Sequence, residues 1–181
     1  MTTAALHPRI AEVIGALADA QDEMSAALAS VPAHLVNAQP SPGAWSVAQI
    51  VDHLAIVEDG SGRVVSKLIK MSGDVQEANT DPIGPTITRF QMWNPALRIE
   101  APDMVVPSAT ADFAQATERQ ATARQRLIAT LMEASGRAIG EHTFPHQVFG
   151  PLNGYQWALF IAEHQRRHLL QISTTLAALS S

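Results

Sequence analysis

The residues with the most distinctive chemistry in this chain are its seven histidines. His164 and His168 stand four apart. On a helix that spacing puts both imidazoles on one face, about one turn apart, as two helical ligands of a metal ion require. Both fall on an apolar stripe between Ile161 and Ile172. Two unliganded imidazoles there would need hydrogen-bond partners or would carry a desolvation cost. Capping does not account for them, because the helix continues past His168. His53 is in register with Ile50 and Val57 on a second apolar helical face, and it meets the pair if the two helices are neighbours. Spacing alone leaves the alternative open: Glu163, Gln165, Arg166 and Arg167 around His164 also read as polar surface, and a single helical histidine is more often a core or surface residue than a ligand. His7, His34, His142 and His146 lie near loops or termini and are expected to face solvent. His146 is singled out because it sits in the loop leading into the last helix.

Most other chemistry is excluded. The chain has no cysteine, which removes disulfides, thiolate nucleophiles and Cys-ligated zinc or iron–sulfur centres together. The residue after His164 is Gln165, so the glutamate of an HExxH metalloprotease is missing. There is no phosphate-binding P-loop, dinucleotide fingerprint, GxSxG elbow or paired Glu-x-x-His motif of a di-iron bundle. Trp45, Trp93 and Trp157 read as packing residues. Twelve Lys and Arg against seventeen Asp and Glu give a net charge of −5, without the basic footprint of a nucleic-acid binder or a membrane-surface helix. The N-terminal residues lack a charged segment followed by an apolar one, so no signal peptide is expected and the expected compartment is the cytoplasm. The longest uncharged stretch, Thr143 to Ala162, is broken by Pro145, Gly150, Pro151 and Gly154 and is not expected to span a bilayer.

Helical periodicity supplies the elements that must position these side chains. Hydrophobic residues make up 46% and charged residues 16%, ample material for a core, and 181 residues favour one domain. Ile10, Val13, Ile14, Leu17, Met24, Leu28 and Val31 mark one face of a helix from about Pro8 to Ser30. Ser46 and Gln49 form a capping box that opens a second helix, which ends near Met71 to Gly73. A third runs from about Thr110 to Ala134, capped by Thr110 or Ser108. Asn153 and Gln156 open a fourth. No strand is convincing, and Met104-Val105-Val106 reads at most as a short extended piece. The expected fold class is an all-α four-helix bundle. Between Ser72 and Ser108 the periodicity is lost and five prolines intervene. A connection of this length can return along a whole helix, so helices two and three can lie parallel rather than as a tight hairpin.

Two stretches carry a family resemblance. Pro42-Gly43-Ala44-Trp45-Ser46-Val47-Ala48-Gln49-Ile50-Val51-Asp52-His53-Leu54 resembles the signature of the DinB-like (YfiT-like) superfamily, in which a Trp-Ser pair opens the second helix and a His-Leu follows. His146 to Trp157 resembles the family's loop into its fourth helix, and Phe160 to Ile172 its HxxxH-x-x-Q-I stretch. The order, the separation of about 110 residues and the chain length agree. Ser72 to Ser108 adds nothing to the likeness.

The resemblance implies a four-helix bundle with a crossover between helices two and three. It implies three histidine ligands on a divalent metal, most often zinc or nickel, which carry over to His53, His164 and His168. Three protein ligands leave a position for water or substrate, the catalytic pattern. Relatives of this kind are often thiol-dependent, transferases using low-molecular-weight thiols and a maleylpyruvate isomerase among them, so a low-molecular-weight thiol cosubstrate and a small-molecule substrate are implied; a metal-dependent transferase or hydrolase is the expected activity. The alternative is a non-catalytic binding or structural protein in which the metal ties two helices together. Gln49, Asp52, Glu163 and Gln171 are weak candidates for polar groups around the metal. Asp52 and Glu163 each precede a ligand, and adjacent helical residues diverge by ~100°, which makes them supporting or surface groups rather than bases. The Ser72–Ser108 connection, with Phe90, Met92, Trp93 and Arg98, is long enough to cover the site. The family and the low charge density together suggest a homodimer. No nucleic-acid partner is expected.

Overall fold

The structure is a computed structural model that describes residues 5–84 and 100–180. Its four long helices are α1 (Pro8–Ala29), α2 (Val47–Ser72), α3 (Phe113–Glu133) and α4 (Gly154–Leu179). The starts follow from the local chemistry. Pro8 occupies the first turn of α1, where its missing N–H leaves nothing unpaired. Ser46 and Gln49 close the expected capping box on α2, and Asn153 and Gln156 close another on α4. The cap of α3 is Asp112, not Thr110 or Ser108; its carboxylate takes the Gln115 N–H at 2.8 Å, while Ser108 Oγ is spent on the N–H of Thr110.

Side-chain pairs give the topology. Asp52 pairs with Arg119, Glu58 with Arg124 and Asp59 with Arg126, so α2 and α3 run parallel. Gln21 meets Gln165 and Glu23 meets Arg166, so α1 and α4 also run parallel. Ile50 and Leu54 share a cluster with Ile172, whereas Val65 and Leu68 share one with Tyr155 and Ala158, which makes α2 and α4 antiparallel. Parallel α2 and α3 require a crossover, as the length of their connection suggested.

The described parts of that connection are tied down. The Glu12 carboxylate accepts the N–H groups of Ile83 and Gly84, at 2.9 Å for Ile83 and 2.6 Å for Gly84. Glu77 N–H donates to Gly136 O, and Ala138 N–H to Val75 O. The Met104 region is a 3₁₀ turn, Asp103–Val105, rather than an extended piece. Phe90, Met92, Trp93 and Arg98 lie outside the described residues.

A further element differs from the sequence expectation. Strands β1 (Thr143–His146) and β2 (Gly150–Asn153) form an antiparallel hairpin leading into α4. Each has only four residues and a proline, too little alternation to register as a strand. Gly150 closes the turn with φ +74°, a conformation L side chains rarely adopt. Among the described residues, no helix is long and apolar enough to cross a membrane.

Candidate metal centre

α2 and α4 bring His53, His164 and His168 together, with one ring nitrogen from each lying within 4.8 Å of the others. His164 Nε2 is 3.4 Å from His53 Nε2 and 3.1 Å from His168 Nε2. The helices position these side chains through ordinary packing. Ile50 and Leu54 anchor α2 on either side of His53, and Ile172 anchors α4 one turn beyond His168. His53 and His168 are buried, and His164 is partly exposed.

The outward nitrogens fix the tautomers. His53 Nδ1 lies 2.7 Å from Val105 O, which can only accept, so Nδ1 carries the proton. His168 Nδ1 lies 2.7 Å from Gln171 Oε1 and donates in the same way. Both Nε2 atoms therefore present lone pairs. His164 Nε2 can donate to at most one of them, so at least one lone pair in this buried triangle has no proton to accept. A divalent cation satisfies all three, and imidazole nitrogens suit a divalent first-row metal. The backbone carbonyl and the amide stand where metal-binding histidines ordinarily have supporting acceptors.

Electrostatics agrees with neutral imidazoles. Desolvation lowers the pKa of His168 to about 3, with a further lowering from His53. Desolvation, then His168 and His53, push His164 well below its ordinary value. Desolvation also lowers His53, against the opposing effects of Val105 O and Asp52. Neutral imidazole is the form that binds metal.

The three rings open onto a cleft of about 1120 Å³ among the described residues. Trp45, Val57, Val64, Phe149 and Phe160 give it an apolar lining, and His146 and Arg167 also border it. Trp45 packs 4.9 Å from the His53 ring. Trp157 is a packing residue as expected, and its indole N–H donates to Phe144 O at 3.1 Å.

The four polar candidates separate. Gln171 is the orienting partner of His168. Asp52 is buried but faces away from the metal centre, bonded to Arg119 and to Ser108 N–H at 2.8 Å. Glu163 pairs with Arg166, and Gln49 is used in the α2 cap. None of these last three is placed as a base. Sequence reasoning missed Val105, whose contribution is a backbone carbonyl and leaves no side-chain signal. His146 also departs from expectation: it is half-buried among Phe149, Trp157 and Phe160 rather than facing solvent.

The parallel-crossover bundle that brings the three histidines together is a fold shared with known proteins. The chain belongs to the DinB superfamily, whose family model matches residues 8–172. It is 28% identical to the Bacillus subtilis (strain 168) protein YuaE over 138 residues, covering 76% of this chain and 80% of that one. The crystal structure of TT2238, a four-helix bundle protein, superposes with a TM-score of 0.61 at 21% identity, covering 91% of this chain and 98% of that one. YfiT from Bacillus subtilis, described as a probable metal-dependent hydrolase with an unusual four-helix bundle topology, gives 0.57 at 17% identity, covering 94% and 87%. At these identities the two structures share the fold with this chain.

Proposed function

We propose that the protein is a metal-dependent enzyme acting on a small molecule, with His53, His164 and His168 as ligands of one zinc or nickel ion. The observation that carries this reading is the buried triangle of Nε2 atoms, two of them fixed as acceptors by Val105 O and Gln171. When bound, the ion supplies Lewis acidity and makes a thiol or water a nucleophile at neutral pH. The chain's own residues do the rest. Three neutral imidazoles hold the ion without cancelling its charge. Val105 O and Gln171 orient two of them. The apolar lining of the cleft offers a packing surface for a hydrocarbon body. In a chain without cysteine, a thiol nucleophile would come from a low-molecular-weight cosubstrate and the reaction would be a transfer; the likeness to YfiT favours hydrolysis.

Metal analysis of protein purified without a histidine tag tests the site. One divalent ion per chain is expected, lost in His53→Ala and in His168→Ala. A screen of small electrophiles with and without low-molecular-weight thiols then separates transfer from hydrolysis. An activity that survives verified removal of all metal would falsify the catalytic reading and favour a structural ion tying α2 to α4.

A further inference from the structure

The hairpin before α4 carries a histidine that the metal centre does not use. His146 ends β1, and its Nδ1 accepts the backbone N–H groups of Val148 at 3.1 Å and Phe149 at 3.3 Å. An accepting Nδ1 leaves the single proton of neutral imidazole on Nε2. That nitrogen has no hydrogen-bond partner among the described residues. The ring itself is held by packing: it stacks on Phe149 with centroids 4.8 Å apart and meets Phe160 edge-on at 4.6 Å. Phe160 in turn lies 5.2 Å from His164. His146 therefore lines the same cleft as the three converging imidazoles, one aromatic ring away.

We infer that His146 is a substrate-binding residue, whose Nε2–H donates to a carbonyl or carboxylate oxygen of a small, largely apolar molecule that packs on Phe149 and Phe160. The inference rests on the metal-dependent reading and adds the substrate class to it. Desolvation lowers the pKa of His146 to about 4, so it stays neutral near pH 7 and sets no positive charge beside a metal ion. A neutral imidazole donor polarises an oxygen without giving up its proton. The apolar walls hold a hydrocarbon body, and the His146 donor fixes its orientation.

The test uses the whole chain loaded with cobalt(II), whose visible absorption reports ligands near the metal. The probe is benzohydroxamate, an aromatic body attached to a chelating carbonyl group. His146→Asn keeps a side-chain acceptor for the turn N–H groups and removes the Nε2–H. The variant is expected to bind the probe about three- to tenfold more weakly, the worth of one neutral hydrogen bond, with its cobalt affinity unchanged. In the zinc-loaded wild-type protein, the ¹⁵N resonance of the protonated His146 nitrogen is expected to move when the probe is added, a readout that needs no variant. Equal probe affinity in the variant, a matching loss of cobalt affinity, or a stationary resonance each overturns the inference and leaves the metal reading intact. A wild-type chain that takes up no cobalt removes both.

Discussion

His53 donates its Nδ1 proton to the carbonyl of Val105 at 2.7 Å, across 52 residues of sequence. The crossover connection thus reaches back to orient an imidazole on α2. His168 has a side-chain equivalent in Gln171, one turn further along its own helix. Supporting acceptors of this kind hold a ligand's tautomer and raise its basicity, and their loss typically lowers metal affinity ten- to a hundredfold. Gln171→Ala is expected to weaken divalent-metal binding by that factor while the fold is retained. Competition with a chromophoric chelator measures it, and an unchanged affinity would show that Gln171 does not orient the ligand.

Acid should weaken the metal-free protein in a definite window. His146 and His168 have folded-state pKa values of about 4 and about 3, both below the ordinary 6.5 and both chiefly through desolvation. The unfolded chain therefore binds more protons than the folded one below about pH 6.5, and stability falls as pH falls. The loss begins near pH 6.5, continues to about pH 4 for His146 and extends to about pH 3 for His168. Urea midpoints of metal-free protein at several pH values would reveal the slope, and His146→Asn should make it shallower. A flat profile between pH 6.5 and 4 would contradict the burial of these imidazoles in solution.

Local chemistry explains why some features were legible in the sequence. The boundaries of α2 and α4 were readable because Ser46–Gln49 and Asn153–Gln156 satisfy orphan N–H groups within four residues. The meeting of His53 with His164 and His168 was readable only as a consequence of the family resemblance; register put the histidines on apolar faces but could not say that α2 and α4 were neighbours. The parallel run of α2 and α3 was open on length and is fixed by pairs such as Glu58–Arg124, which no local pattern announces. The hairpin was missed because Pro145 and Pro151 oppose each other in it. The solvent-facing assignment of His146 failed with it, since only the hairpin presses that ring against α4.

Arg124 joins all four helices from the core. Its guanidinium bonds to the Glu58 carboxylate on α2, to Leu17 O on α1 and to Gln165 Oε1 on α4. Both charged side chains are only 4% exposed. Removing one member of such a pair leaves an uncompensated buried charge and typically costs about 3–5 kcal/mol. Arg124→Met is expected to lose stability on that scale in urea titrations. The double variant Arg124→Met, Glu58→Leu should recover most of the loss, because the stranded carboxylate is gone. If the single and double variants were equally unstable, packing rather than charge would dominate at this point of the core.

Gly60 and Gly62 stand two apart in the middle of α2, and only one of them borders the cleft. Glycine inside a helix costs about 0.8–1.0 kcal/mol relative to alanine. A Cβ added at either position meets nothing within 4 Å among the described residues, so neither glycine is required by packing there. Gly60 lines the cleft, two turns along α2 from His53, whereas Gly62 does not line it. Room for a ligand is thus a reason for Gly60 that does not apply to Gly62. Gly60→Ala and Gly62→Ala are both expected to stabilise the fold by about 0.8–1.0 kcal/mol in chemical denaturation. Gly60→Leu, which fills more of the cleft, should also weaken benzohydroxamate binding to the cobalt-loaded protein, with cobalt affinity retained. Gly62→Leu should leave probe binding unchanged. If the two leucine variants bind the probe alike, the floor of the cleft near Gly60 is not where the ligand lies.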